Sequence, residues 1–146
     1  MFKRVCIIGC GLIGSSIARG IKKNKLATKV VSSNRSNSTN KKVIRLKIVD
    51  EASSDTKKIV KGSDLIIIAS PLSSYKNIIL KIKSSLKNGA ILTDVGSVKK
   101  NVISLIEKNI PKNISWISSH PIAGTEESGP ESGFSQLFKN KWCILT

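Results

Sequence analysis

Val5 to Ser16, VCIIGCGLIGSS, is the stretch that most narrows what this chain can fold into. Val5, Ile7 and Ile8 form the apolar run of a strand covered on both faces. The run then breaks into Gly9, Gly11 and Gly14, which fall in the G-x-G-x-x-G spacing. The first glycine permits a tight turn, the second lets the backbone approach a pyrophosphate, and the third lets the following helix pack closely on the strand. The backbone of Gly9, Gly11, Leu12, Ile13 and Gly14 is therefore the expected phosphate cradle, with free N–H groups aided by the helix dipole. Glycine-rich turns that only serve packing are common. Here a strand before the turn and an amphipathic helix after it favour a dinucleotide site.

The remaining chain repeats the alternation that such a turn requires. Strands are expected at Lys29–Ser33, Leu65–Ser70, Ala90–Val95 and Ile114–Ser118, and a final one at Trp142–Leu145. Helical spacing covers Ser15–Lys25, Lys41–Leu46 and Lys57–Lys61. A further helix, capped by Ser73 or Ser74 and carrying Ile78, Ile79, Ile82 and Leu86, is expected to end at Asn88-Gly89. Another follows Gly96-Ser97 and stops at Pro111. The segment SNRSNSTNKK reads as a loop by composition. Alternating strands and helices without a repeat or a long linker imply one α/β domain over residues 1–146, a Rossmann-type doubly wound, mostly parallel sheet with helices on both faces. Ligands in such sheets bind beyond the carboxyl ends of the strands. The turns after Ile8, Ser33, Ser70, Val95 and Ser118 are thus expected to form one surface.

Charge and thiols restrict what that surface could meet. A formal net charge of +16 invites a nucleic-acid reading, but the lysines are scattered over every expected helix and loop. With three Phe, two Trp and one Tyr, the chain is poorly supplied for stacking single strands. The charge instead supplies a positive field for small anions. The three cysteines show no C-x-x-C pair and no histidine at metal-ligand spacing, so no metal site is expected. Cys6 and Cys143, in apolar runs, read as buried thiols in a reducing cytoplasm. No apolar stretch approaches the roughly 20 residues of a membrane-spanning helix, and no membrane partner is expected.

Beyond the fingerprint, chemistry gathers on three turns. Ser70 and Pro71 are expected against the ribose or nicotinamide half of a cofactor, although a proline that merely starts a helix is equally compatible with them. Ser97 offers a hydroxyl beside a helix start, or serves only as its cap. His120, the single histidine, follows a strand on the ligand edge, and histidine is the side chain best suited to proton exchange near neutrality. Glu126 and Glu127 follow it closely.

Three segments, GCGLIGSS at Gly9–Ser16, TDVGSVK at Thr93–Lys99 and SHPIAGTEESGPESGF at Ser119–Phe134, together with the closing NKWCILT, resemble the prephenate/arogenate (cyclohexadienyl) dehydrogenases of tyrosine biosynthesis, in order and over essentially the whole chain. The resemblance implies NAD(P)-dependent oxidative decarboxylation of prephenate or arogenate. His120 would then assist deprotonation of the substrate's ring hydroxyl, Ser97 would lie near the nicotinamide and that hydroxyl, and Glu126 would lie by the site entrance. It also implies a helical C-terminal domain, absent here, that supplies dimerisation and contacts to the substrate carboxylates. Where this family often has an acidic residue for the adenine ribose, about 20 residues past the fingerprint, this chain has Asn34 followed by Arg35. That pair favours NADP, or dual use, over strict NAD. Two other readings remain open at this point: another NAD(P) dehydrogenase of a small hydroxy acid, or a noncatalytic nucleotide-sensing or nucleic-acid-binding module.

Overall fold

The computed structural model describes residues 1–146. Six parallel strands, β1 (Phe2–Ile8), β2 (Ala27–Ser33), β3 (Glu51–Ser53), β4 (Leu65–Ile68), β5 (Ile91–Asp94) and β6 (Ser115–Ile117), form one sheet in the order β3-β2-β1-β4-β5-β6. Order reverses between β1 and β4, so the carboxyl ends of these two strands flank the switch point at which doubly wound sheets bind ligands.

Alternation along each strand divides the core into two layers. Val5 and Ile7 of β1, with Val30 and Ile67, face α1 (Leu12–Lys23) and α2 (Asn37–Arg45), where Ala18, Ile21 and Val43 meet them. Cys6 and Ile8, with Val31, Ile66, Ile68 and Leu92, face the opposite way. They pack against Ile79 and Ile82 of α4 (Tyr75–Ile82), Val102 and Ile106 of α5 (Lys100–Asn109) and Ile59 of the short α3 (Thr56–Ile59). Each fully buried aliphatic side chain contributes about 1.5–3 kcal/mol, so two dry layers hold the sheet without disulfide or metal. At the edge away from the ligand surface, Asp64 staples the strands together. Its carboxylate accepts from the N–H groups of Lys3 (2.7 Å) and Arg4 (3.0 Å) and pairs with Lys87, and these contacts, Lys87 foremost, pull its pKa down to about 2.

Four expectations need correction. The Ser/Asn-rich segment is not a loop throughout, because α2 starts at Asn37. The Ser36 hydroxyl accepts from Ser38 N–H (3.2 Å) and Thr39 N–H (3.4 Å), a cap strong enough to begin the helix inside polar sequence. Neither Ser73 nor Ser74 caps α4. That helix continues a 3-10 turn, Leu72–Ser74, and the Ser74 hydroxyl instead donates to Pro71 O (2.6 Å) and lies 2.9 Å from Ser70 Oγ. The helix also stops at Ile82, well before Gly89, because Lys83–Ser85 tightens into a 3-10 turn and Leu86 is extended. Cys143 is exposed, whereas Cys10 is buried with Cys6. The last strand, β8 (Cys143–Leu145), lies outside the main sheet and pairs antiparallel with β7 (Ser119–Pro121), placing Ile144 opposite His120. No helix is long and apolar enough to cross a membrane.

Candidate functional site

The fingerprint turn is built as its spacing demands. Gly9 has φ +96°, and a Cβ there would meet Ala69 O at 2.8 Å, so the β1 turn is pressed against the β4 turn. A Cβ on Gly14 would lie 2.0 Å from Gly9 O, which is the close approach of helix to strand end. Gly11 differs from both: an added Cβ would meet nothing within 4 Å. Space therefore remains in front of Gly11 alone, beside a helix start that no side chain caps and whose first turn holds no acidic residue. Open N–H groups, a positive dipole end and a cradle that a side chain would fill together fit a pyrophosphate.

Asn34, at the carboxyl end of β2, is buried and fully engaged. Its Oδ1 accepts from Cys10 N–H (2.6 Å) in the fingerprint turn, while its Nδ2 donates to Ser32 Oγ (3.1 Å) and Asn40 Oδ1 (2.9 Å). The amide thus ties the second strand to the glycine turn. Arg35 next to it is exposed and belongs to none of the chain's ion pairs. Burial pushes the thiol of Cys10, in the fingerprint turn, up to about 11 and that of Cys6, inside β1, up to about 12, so both stay protonated.

The β4 and β5 turns adjoin. Ser70 is half-buried with its hydroxyl 2.9 Å from that of Ser74, and Pro71 is exposed at the head of the 3-10 turn. A Cβ on Gly96 would meet Leu72 Cδ2 at 2.8 Å, and a cavity of about 310 Å³ opens between Leu72, Tyr75, Val98 and Val102. Ser97 is exposed and caps nothing, since α5 starts at Lys100 with no side-chain cap. Its hydroxyl is therefore free. His120 is half-buried at the centre of β7, whose first residue, Ser119, is bonded to Asp94 at the end of β5. Glu126 lies on the exposed loop after β7 and makes no hydrogen bond or ion pair, so the structure does not draw it into this group.

The far half of that loop has a different task. Phe134 N–H donates to Ser16 Oγ (3.0 Å), a Cβ on Gly133 would collide with Ser15 Oγ at 2.0 Å, and Glu131 pairs with Lys42 (3.0 Å). The segment after His120 therefore runs from the β5–β6 side back to α1 and α2. Its glycines and Ser15 and Ser16 were legible as motif letters, but their mutual contact is not encoded in any spacing.

The chain is similar over its whole length to known dehydrogenases. The family model described as "Prephenate dehydrogenase, nucleotide-binding domain" matches residues 17–146, a span that begins after the glycine fingerprint. The cyclohexadienyl dehydrogenase of Zymomonas mobilis is 36% identical over 146 residues, covering 100% of this chain and 50% of that protein. The crystal structure of prephenate dehydrogenase from Aquifex aeolicus in complex with hydroxyphenyl propionate and NAD+ superposes with a TM-score of 0.90 at 29% identity, over 100% of this chain and 51% of that one. The Synechocystis arogenate dehydrogenase structure gives 0.89 at 28% identity, over 98% of this chain and 49% of that one. The chain thus spans about half the length of the relatives it matches. It belongs to the prephenate dehydrogenase family, as that family's nucleotide-binding domain.

Proposed function

We propose that this chain is the cofactor-binding part of an NAD(P)-dependent dehydrogenase that oxidatively decarboxylates prephenate or arogenate, giving 4-hydroxyphenylpyruvate or tyrosine. The observation that supports it most is the meeting of an uncapped phosphate cradle, a free Ser97 hydroxyl and the chain's single histidine on one edge of the sheet. The bound dinucleotide supplies the acceptor for the hydride that leaves the ring carbon bearing the hydroxyl. An imidazole nitrogen of His120 takes the proton of that hydroxyl as carbonyl character develops, which lowers the barrier to hydride departure. Ser97 hydrogen-bonds the same oxygen from the β5 turn, and Glu126 stands at the entrance. Loss of carbon dioxide makes the ring aromatic, so no covalent nucleophile on the protein is called for.

Within this reading the domain is residues 1–146, the other half of the relatives' length supplies a helical dimerisation domain and cations for the substrate carboxylates, and the protein works in the cytoplasm as a homodimer. The test is prephenate- and arogenate-dependent reduction of NAD(P)+. The isolated chain is expected to bind the cofactor yet turn over far below the ~1–10³ s⁻¹ of ordinary enzymes, and the full-length protein is expected to reach that range. Enzyme-like rates from the isolated chain would overturn the division of labour. A full-length protein inert towards both substrates would overturn the activity.

The cofactor preference is for NADP, or for both dinucleotides. The Asn34 amide is consumed inside the protein and brings no negative charge, which leaves Arg35 as the group able to meet a 2′-phosphate. Arg35→Ala is expected to weaken NADP+ binding about tenfold or more, the worth of a charge-assisted hydrogen bond, and to change NAD+ binding by no more than about twofold. Titration calorimetry with both cofactors checks this. Equal losses for the two would remove Arg35 from 2′-phosphate recognition.

A further inference from the structure

The strand that carries His120 has left the sheet. β6 is the last strand on its side of the ladder, and β7 pairs only with β8, whose three residues are all exposed. A two-stranded ribbon of this length has little stability of its own. Its placement must therefore come from another source, and the structure shows an ion pair at that junction.

Asp94, at the carboxyl end of β5, is 0% exposed. Lys99 Nζ donates to both of its oxygens at 2.8 Å, and the lysine side chain is only 15% exposed. The same carboxylate accepts from Gly96 N–H (3.0 Å) and the Tyr75 hydroxyl (3.3 Å), which locks the turn bearing Ser97. It also accepts from Ser119 N–H (3.3 Å), while Lys99 Nζ donates to Ser119 O, the carbonyl of the Ser119–His120 peptide bond. Ser119 is thus gripped at both backbone groups by the two members of one charge pair. Thr93 Oγ1 donates to Ser119 Oγ (3.1 Å), and that hydroxyl donates in turn to Asp94 O.

A buried ion pair is a poor device for stability alone, because well-packed apolar side chains often do as well. It is a good device for fixing one geometry between two backbones that share no ladder. The geometry points to Asp94 and Lys99 as positioning residues for the proposed reaction: the pair sets the His120 backbone in register with the Ser97 turn, so that imidazole and hydroxyl converge on one substrate oxygen. This rests on the catalytic role proposed for His120. It assigns neither residue a contact with substrate or cofactor.

Removing one partner would leave a buried charge alone, so the informative variant is the neutral pair Asp94→Asn with Lys99→Met, made in the full-length protein. A misplacement of about 1 Å at reacting groups costs up to about a hundredfold in rate. The double variant is therefore expected to lose between about tenfold and a hundredfold in kcat while keeping its NAD(P)+ affinity and its KM within about threefold. In a His120→Asn background the same pair is expected to cost less than about threefold more, because it acts through that histidine. Full kcat in the double variant would overturn the assignment, as would a loss that multiplies with that of His120→Asn or a parallel fall in cofactor binding. Undiminished turnover by His120→Asn alone would refute the role of His120 instead, which separates the two failures.

Discussion

His120→Asn in the full-length protein is expected to lower kcat by about a hundredfold to ten-thousandfold, the usual worth of a positioned general base, with NAD(P)+ affinity unchanged. Asparagine keeps the approximate size and a hydrogen-bonding group but cannot take a proton from a hydroxyl. β7 holds the position through backbone bonds to β8 and through Ser119, none of which uses the imidazole. The substitution therefore removes chemistry without disturbing the fold. Steady-state kinetics with prephenate, together with fluorescence titration of the cofactor, distinguishes the outcomes. If the variant turns over normally, some other group accepts the proton and the proposed mechanism fails.

The second large effect separates two glycines that share one motif. Gly14→Ala places a methyl group 2.0 Å from Gly9 O, against backbone that cannot retreat without unseating α1 from β1. Overpacking of this kind costs about 1–3 kcal/mol and sometimes more, so a marked fall in Tm is expected along with loss of cofactor binding. Gly11→Ala should behave in the opposite way. Its φ of −79° suits alanine and its Cβ meets no atom, so Tm should hold while cofactor affinity drops at least about tenfold, because the methyl group fills the phosphate's space. Thermal unfolding and binding measured on both variants read the contrast. A Gly11→Ala protein that binds normally would mean that the pyrophosphate does not approach there.

The large outline was legible in the chain because it rests on local chemistry. The buried strand of Val5–Ile8, the unbroken LIII of β4 and the 3.6-residue spacing of Ile79, Ile82, Val102 and Ile106 depend on neighbours in sequence, and the structure returns all of them. Where expectation failed, a contact between distant residues had decided. Polar composition argued for a loop at Asn37–Asn40, yet Asn40 is drawn inside because the buried Asn34 amide requires an acceptor. Cys143 sits in an apolar run like a core residue, but its strand pairs with β7 beyond the sheet and neither layer reaches it. Asp94 and Lys99 stood in a recognised motif without a role. Their spacing of five residues says nothing about Ser119, which the chain brings to them only after another crossover.

The strand order has a consequence for how the chain comes together. Every pairing in the main sheet but one joins strands consecutive in sequence, and the exception is β1 with β4, where Val5 lies opposite Leu65 across two intervening strands and three helices. That seam bears the greatest loop-closure entropy of any in the sheet. It is also where the Gly9 turn rests on Ala69, so a dinucleotide held there touches both halves of the molecule at the junction that is hardest to close. Ligand at about a hundred times its Kd adds about 2.7 kcal/mol to the folded state. Under the proposed function, cofactor supply therefore bears on the stability of the domain as well as on the reaction.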